Sequence, residues 1–229
     1  MKKGAIISSA DPKIITKIRS LNPTWYYTWG TTAVLGLEDI PFTPMCWGSK
    51  SISKLVVPVP VLLGFNEPDR PDQSNLTPEN SSNLWVNLTK ISSRLGSPAI
   101  AANASKSGSW LETFMNFNPK LDFICVHWYA PPNIDSFLKQ IDAIYNKYKK
   151  PIWITEFAVA DWSGKHPGGY DINLVSQFMK DACAGLEDRD FVERYTWKTR
   201  GPSDASMGTS ALFNDDGTLT ELGTIYANV

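Results

Sequence analysis

Leu62-Leu63-Gly64-Phe65-Asn66-Glu67-Pro68-Asp69 is an apolar run that stops abruptly in Asn, Glu and Pro. Proline cannot donate to a sheet ladder, so a buried strand has to end there, with Glu67 left at its mouth. Pro151-Ile152-Trp153-Ile154-Thr155-Glu156-Phe157-Ala158 has the same form, an apolar run that reaches a glutamate. Outward from these two, strand-like runs lie at 5–8, 24–29, 42–47, 56–65, 99–103, 121–129, 151–157 and 192–198. Helical spacing of apolar residues fills 12–21, 78–95, 135–148 and 173–186 between them. The helix from residue 78 has a clear start, with Thr77 as candidate N-cap and Pro78 at the first helical position.

Strands alternating with helices imply a parallel sheet, and eight repeats imply its closure into a barrel. The chain is short for that architecture: it has 229 residues, where such a barrel typically needs ~250. The first four runs begin at Ala5, Thr24, Phe42 and Val56, too close for full crossover helices between all of them. The fold class expected is therefore α/β, a compact (β/α)8 TIM-like barrel with short or missing early crossover helices, residues 1–229 forming one catalytic barrel. The Pro/Gly-rich stretch 162–170 falls between the seventh strand and its helix and reads as an insertion loop, not a linker.

A formal net charge of -1 with 42% hydrophobic and 20% charged residues is an ordinary globular balance. It excludes a disordered chain and argues against a nucleic-acid partner, which demands clustered Lys and Arg. No apolar run is long enough to cross a bilayer, so no membrane partner is expected. Met1-Lys2-Lys3 imitates the start of a signal peptide, but the apolar part is broken at Asp11-Pro12, and residues 5–8 read as a first strand in a leaderless or trimmed chain. Cys46, Cys125 and Cys183 cannot all pair and lack zinc-site spacing; they read as buried free thiols. Four Asn-X-Ser/Thr tripeptides fit a glycosylation pattern short enough to arise by chance.

Counting strands puts Glu67 after the fourth and Glu156 after the seventh, both on the carboxyl side, where barrels of this kind carry their active sites. Two carboxylates across a barrel mouth suit glycoside hydrolysis: one protonates the leaving oxygen, the other attacks the anomeric carbon or activates water. The acid of such a pair must stay partly protonated, although an ordinary Glu titrates near 4.3. The competing structural explanation, strand capping or pairing with Lys or Arg, serves one glutamate better than two. In the sixth strand, alternation puts Cys125, His127 and Tyr129 on one face and Trp128 on the other, so His127 and Tyr129 reach the mouth near Glu156. His127 does not read as a metal ligand, since His166 sits in the Gly/Pro loop and no third ligand is evident; neither metal nor cofactor is expected.

Asn66-Glu67-Pro68 with Glu156 three strands later resembles the signature of retaining glycosidases with eight-stranded barrels. Together with Trp25-Tyr26-Tyr27-Thr28-Trp29, Val126-His127-Trp128-Tyr129, Arg194-Tyr195-Thr196-Trp197 and Leu212-Phe213-Asn214, the chain resembles the small-barrel endo-β-1,3-glucanases of glycoside hydrolase family 128 over nearly its whole length. The resemblance implies Glu67 as general acid/base, Glu156 as nucleophile, Asn66 on the sugar 2-hydroxyl, and a β-glucan polysaccharide or oligosaccharide as partner. Of nine tryptophans, Trp29, Trp47, Trp110, Trp128, Trp162 and Trp197 fall near strand carboxyl ends or in the loops beyond them. Several are expected as sugar platforms, Trp197 foremost; Trp25, Trp85 and Trp153 read as core. Another neutral β-glycan (mannan, xylan, mixed-linkage glucan) is the alternative substrate, and a non-catalytic carbohydrate-binding barrel the alternative class. Action as a monomer outside the cell or at a cell wall is expected of a soluble polysaccharidase.

Overall fold

The computed structural model describes residues 2–229. Two parallel sheets form its regular part: β1 (Ala5–Ile6) beside β2 (Tyr26–Tyr27), and β3 (Ile124–Ala130), β4 (Ile152–Val159) and β5 (Val192–Trp197) in that order. Three further segments close the gap through isolated parallel bridges: Tyr26 to Phe42, Met45 to Leu63, Leu62 to Leu95, Asn66 to Ala99 and Gly96 to Phe123. A bridge from Lys3 to Tyr195 joins the last stave to the first, with Gly4 donating to the Tyr195 carbonyl at 2.8 Å. The result is a ring of eight parallel staves.

Among the described residues six helices surround it: α1 (Ile14–Ser20), α2 (Pro78–Ile91), α3 (Trp110–Met115), α4 (Ile134–Tyr148), α5 (Ile172–Glu187) and α6 (Glu221–Asn228). Short early crossovers are the form it takes: no helix follows β2, and a single 3-10 stretch, Ser49–Lys54, follows the third stave. Thr77 caps α2 as its sequence implies, accepting from the Asn80 N–H. The fifth stave differs from expectation. It lies at 95–99 rather than 99–103, because α2 ends at Ile91 and Gly96-Ser97-Pro98, which reads as a turn, is itself in the wall. A Cβ on Gly96 would collide with the Phe123 ring and Cys125 Sγ, so only glycine lets the aromatic filling close up there. α3 and α6, each of eight residues or fewer, have too little periodic sequence to be seen in advance.

Alternate stave residues make two layers. Ile6, Trp25, Tyr27, Met45, Leu63, Ala99, Phe123, Cys125 and Trp153 pack inside the ring, with Phe123 stacked on Trp153 at 4.2 Å. The opposite faces meet the helices in a larger core, where α5 buries Val175, Phe178, Met179, Ala182 and Leu186. Each fully buried Leu or Phe on that face contributes about 1.5–3 kcal/mol, and Leu186→Ala would open a cavity against the barrel. All three cysteines are buried and free.

Candidate active site

The fourth stave delivers Glu67 through an unusual backbone. Its φ is 40°, in the left-handed region that non-glycine residues avoid. Neighbours hold it there: Glu67 N–H donates to the Ala99 carbonyl at 2.7 Å, Arg70 N–H to the Glu67 carbonyl at 3.0 Å. Asp69 fastens the next loop, accepting from the Ala101 and Ala102 N–H groups at 2.9 Å each. Strain of this kind costs about 1–3 kcal/mol and collects where a side chain must be aimed.

Glu156 is aimed by a different device. It lies within β4, not at its end, and strict alternation from inward-facing Trp153 would turn it toward the helices. The register against β3 shifts between Val126 and His127, so that Thr155 is the extra residue and Glu156 pairs with His127. That bulge flips Glu156 into the barrel mouth. Two hydrogen bonds pin it, Tyr27 Oη and Thr196 Oγ1 donating to the Thr155 carbonyl at 2.8 and 2.6 Å.

His127 stands between the two carboxylates. Its Nδ1 is 2.9 Å from Glu67 Oε1 and its Nε2 is 3.5 Å from Glu156 Oε1. Glu156 further accepts from Trp29 Nε1–H at 2.7 Å and from the Tyr129 hydroxyl. Burial alone would raise the Glu156 carboxyl, but His127, Lys198 and the bonds from Tyr129 and Trp29 hold it below the usual carboxylate range. Burial opposes a charged imidazole at His127, yet Glu156 and Glu67 raise it above its ordinary value. Burial and then Glu156 push the Tyr129 and Tyr27 phenols far up, so both remain hydroxyl donors. The site thus holds one well-supported carboxylate and a second carboxyl group whose Oε1 is hydrogen-bonded to an imidazole nitrogen.

A cleft of about 730 Å³ opens above them, lined among others by Trp29, Trp47, Asn66, Tyr129, Trp162 and Lys198. Asn66 Nδ2 donates to Gln73 Oε1 at 3.1 Å, and its Oδ1 has no partner among the described residues. A second groove of about 290 Å³ continues from Trp29 and Lys198 to Phe213 and Asn214. Two expected platforms lie elsewhere. Trp197 is 1% exposed, edge-on to Phe157 and bonded through Nε1 to the Ser210 carbonyl, and Trp128 stacks on Phe178. Both take the outward parity of their strands and pack under the helices, so neither can stack on a sugar. Trp110 is likewise turned away, stacked on Phe114 in α3. Trp162, 57% exposed, stands at the rim. Sequence reasoning missed Tyr27 and Lys198, although Tyr27 shares the inward parity of Trp25 and Trp29, and Lys198 is one residue past outward Trp197.

Among the described residues no cluster of His, Cys, Asp and Glu could hold a metal, and no helix is long and apolar enough to cross a membrane.

A parallel barrel with two carboxylates bridged at the carboxyl ends of its staves defines the class, a barrel glycosidase. The family model described as the glycosyl hydrolase catalytic core matches residues 4–226. A subgroup I endo-β-1,3-glucanase of glycoside hydrolase family 128 from Amycolatopsis mediterranei, solved with laminarihexaose, is 30% identical, covers 100% of this chain and 99% of its own, and superimposes with a TM-score of 0.85. The chain belongs to glycoside hydrolase family 128. A subgroup V exo-β-1,3-glucanase from Cryptococcus neoformans shares the fold at 24% identity over 99% of this chain and 98% of its own, with a TM-score of 0.82. Alkali-sensitive linkage protein 1 of Schizosaccharomyces pombe is 30% identical over 222 residues, 88% of this chain but only 39% of that protein.

Proposed function

We propose that the chain is a retaining endo-β-1,3-glucanase in which Glu156 is the nucleophile and Glu67 the general acid/base. The observation that carries the assignment is the unequal support of the two carboxyls around His127. Glu156, with donors from Trp29 and Tyr129 and cations nearby, is kept ionised and ready to attack the anomeric carbon. Glu67 is hydrogen-bonded to His127 Nδ1 and lines the cleft, where it is placed first to give a proton to the glycosidic oxygen and then to take one from water. In the first step Glu67 protonates the leaving glycosidic oxygen while Glu156 forms a glycosyl ester. In the second, Glu67 takes a proton from water, which displaces Glu156 and returns the original anomer. Asn66 Oδ1 is free to accept from the sugar 2-hydroxyl, a bond that strengthens as the transition state forms. Trp29, Trp47 and Trp162 line the cleft together with Tyr129, whereas His127, expected at the mouth, is fully buried behind the two carboxylates and acts through them.

The polymer assignment is supported by likeness to the Amycolatopsis enzyme in complex with laminarihexaose. It extends to a monomer acting outside the cell or at a cell wall. Laminarin, mannan, xylan and mixed-linkage glucan, tested side by side with product sizing and NMR of the first-formed anomer, check it. Oligosaccharides of mixed length from laminarin, appearing first as the β-anomer, are expected. Release only from another polymer overturns the substrate, the α-anomer overturns retention, and tight binding without release marks a carbohydrate-binding barrel.

A further inference from the structure

Lys198 follows β5 on the inward parity, and its ammonium sits 4.1 Å over the centre of the Trp29 ring. Apart from that ring it makes no ion pair or side-chain hydrogen bond among the described residues; its backbone N–H donates to the Phe157 carbonyl at 2.9 Å. The side chain lines both the main cleft and the second groove, so its three N–H donors face open volume where the two meet. Trp29 is the residue beneath it. With φ at 59° it occupies the left-handed region, and that strained backbone lets its Nε1–H reach Glu156 Oε1. Tyr27 packs against the same indole at a steep angle, ring centres 5.8 Å apart, and Lys198 is the cation over its ring.

We propose that Lys198 is a positioning residue for the reaction: seated on Trp29, it keeps the indole N–H directed at Glu156, places a positive charge beside that carboxylate, and offers donors to a hydroxyl of the sugar next to it. This rests on the assignment of Glu156 as nucleophile. One consequence is that Trp29 serves the carboxylate first, since the face covered by the ammonium is closed to a sugar ring. Burial pulls the ammonium below its ordinary range and Glu156 draws it partly back, as expected of a cation without an ion-pair partner that faces an anion in a partly dry site. The other groups facing Glu156 are His127, Tyr27, Tyr129 and, across the mouth, Glu67; Arg200 faces Lys198 from its own loop.

The test is the pH dependence of kcat/KM on laminarin for wild type, Lys198→Met, Lys198→Arg and Trp29→Phe, with Glu156→Gln as control. Lys198→Met should lower kcat/KM about tenfold, the effect of one partly solvated charge. Its acid limb should move to higher pH by roughly half a unit or more, because a cation that held Glu156 ionised is gone. Lys198→Arg should restore the limb, and Trp29→Phe should shift it the same way while keeping the ring. A wild-type limb and rate in folded Lys198→Met overturns the proposal. If that variant fails to fold, a wild-type limb in Lys198→Gln does so instead. A Glu156→Gln variant of undiminished rate would instead overturn the nucleophile assignment on which all of this stands.

Discussion

The two ends of the barrel bury charged groups among aromatic rings to opposite effect. At the amino-terminal end of the staves, Arg94 pairs with Glu193, whose Oε2 also accepts from Trp153 Nε1–H at 2.6 Å. Arg194 lies 4.3 Å over Trp153 and 5.0 Å over Trp25 and donates to Thr43 Oγ1; burial pulls its guanidinium down to about 10. Each of these groups meets a partner. At the carboxyl end, His127 Nε2, Asn66 Oδ1 and Thr28 Oγ1 are buried without a hydrogen bond, and the Lys198 ammonium has only a ring. Incomplete satisfaction of buried polar atoms is expensive, so a fold that closes one end fully and leaves the other unfinished has reserved that other end for a ligand.

If the open end is the reactive one, its carboxyls should dominate every measurement of rate. Glu156→Gln should reduce hydrolysis by roughly 10⁴-fold or more, as loss of a nucleophile does elsewhere, while leaving laminari-oligosaccharide binding measurable. Glu67→Ala should lose about 10²–10⁴-fold, the usual reach of general acid–base catalysis. Added azide or an aryl glycoside with a good leaving group should recover part of it. Recovery with neither, in a folded variant, would remove Glu67 from the acid/base role.

His127 should come next. His127→Gln removes a cation that holds the Glu156 carboxyl down. The folded pKa of Glu156 then rises, its protonated fraction grows at mildly acidic pH, and the acid limb of kcat/KM moves upward. An overall loss of about ten- to a hundredfold is expected for a group that serves both carboxyls at once. An unmoved acid limb would mean that His127 is a packing residue and the carboxyls act without it.

What the sequence showed of this contrast depended on parity. Glu67 was legible because Pro68 ends its strand, and the inward set Cys125, His127, Tyr129 followed from simple alternation in β3. Glu156 was legible as a residue but not as an orientation, since the bulge at Thr155 arises from pairing with neighbouring strands and has no local signature. A one-residue slip turns every side chain to the other face. That is why Trp197 reads from its sequence position as a platform, whereas inward-facing Lys198 beside it reaches the cleft. The closed end was invisible for another reason: Arg94, Glu193, Arg194 and Trp25 are distant in sequence and meet only when the ring closes.

The closed end makes the smallest and most discriminating prediction. Glu193→Ala leaves Arg94 without its carboxylate and Trp153 Nε1 without its acceptor. An unsatisfied buried donor costs about 1–3 kcal/mol, and the low end applies because this pair is about a third exposed and solvent takes up part of the loss. A chain of this size loses about 2–4 °C in Tm per kcal/mol, so a fall of only a few degrees is expected by thermal denaturation. At 25 °C kcat, KM and the acid limb should match wild type, because the layer of Phe123, Trp153 and Cys125 separates this pair from Glu156 and transmits no charge. A clear loss of kcat without loss of Tm would show that the two ends are coupled through that layer, and the division between a finished end and a reactive one would have to be given up.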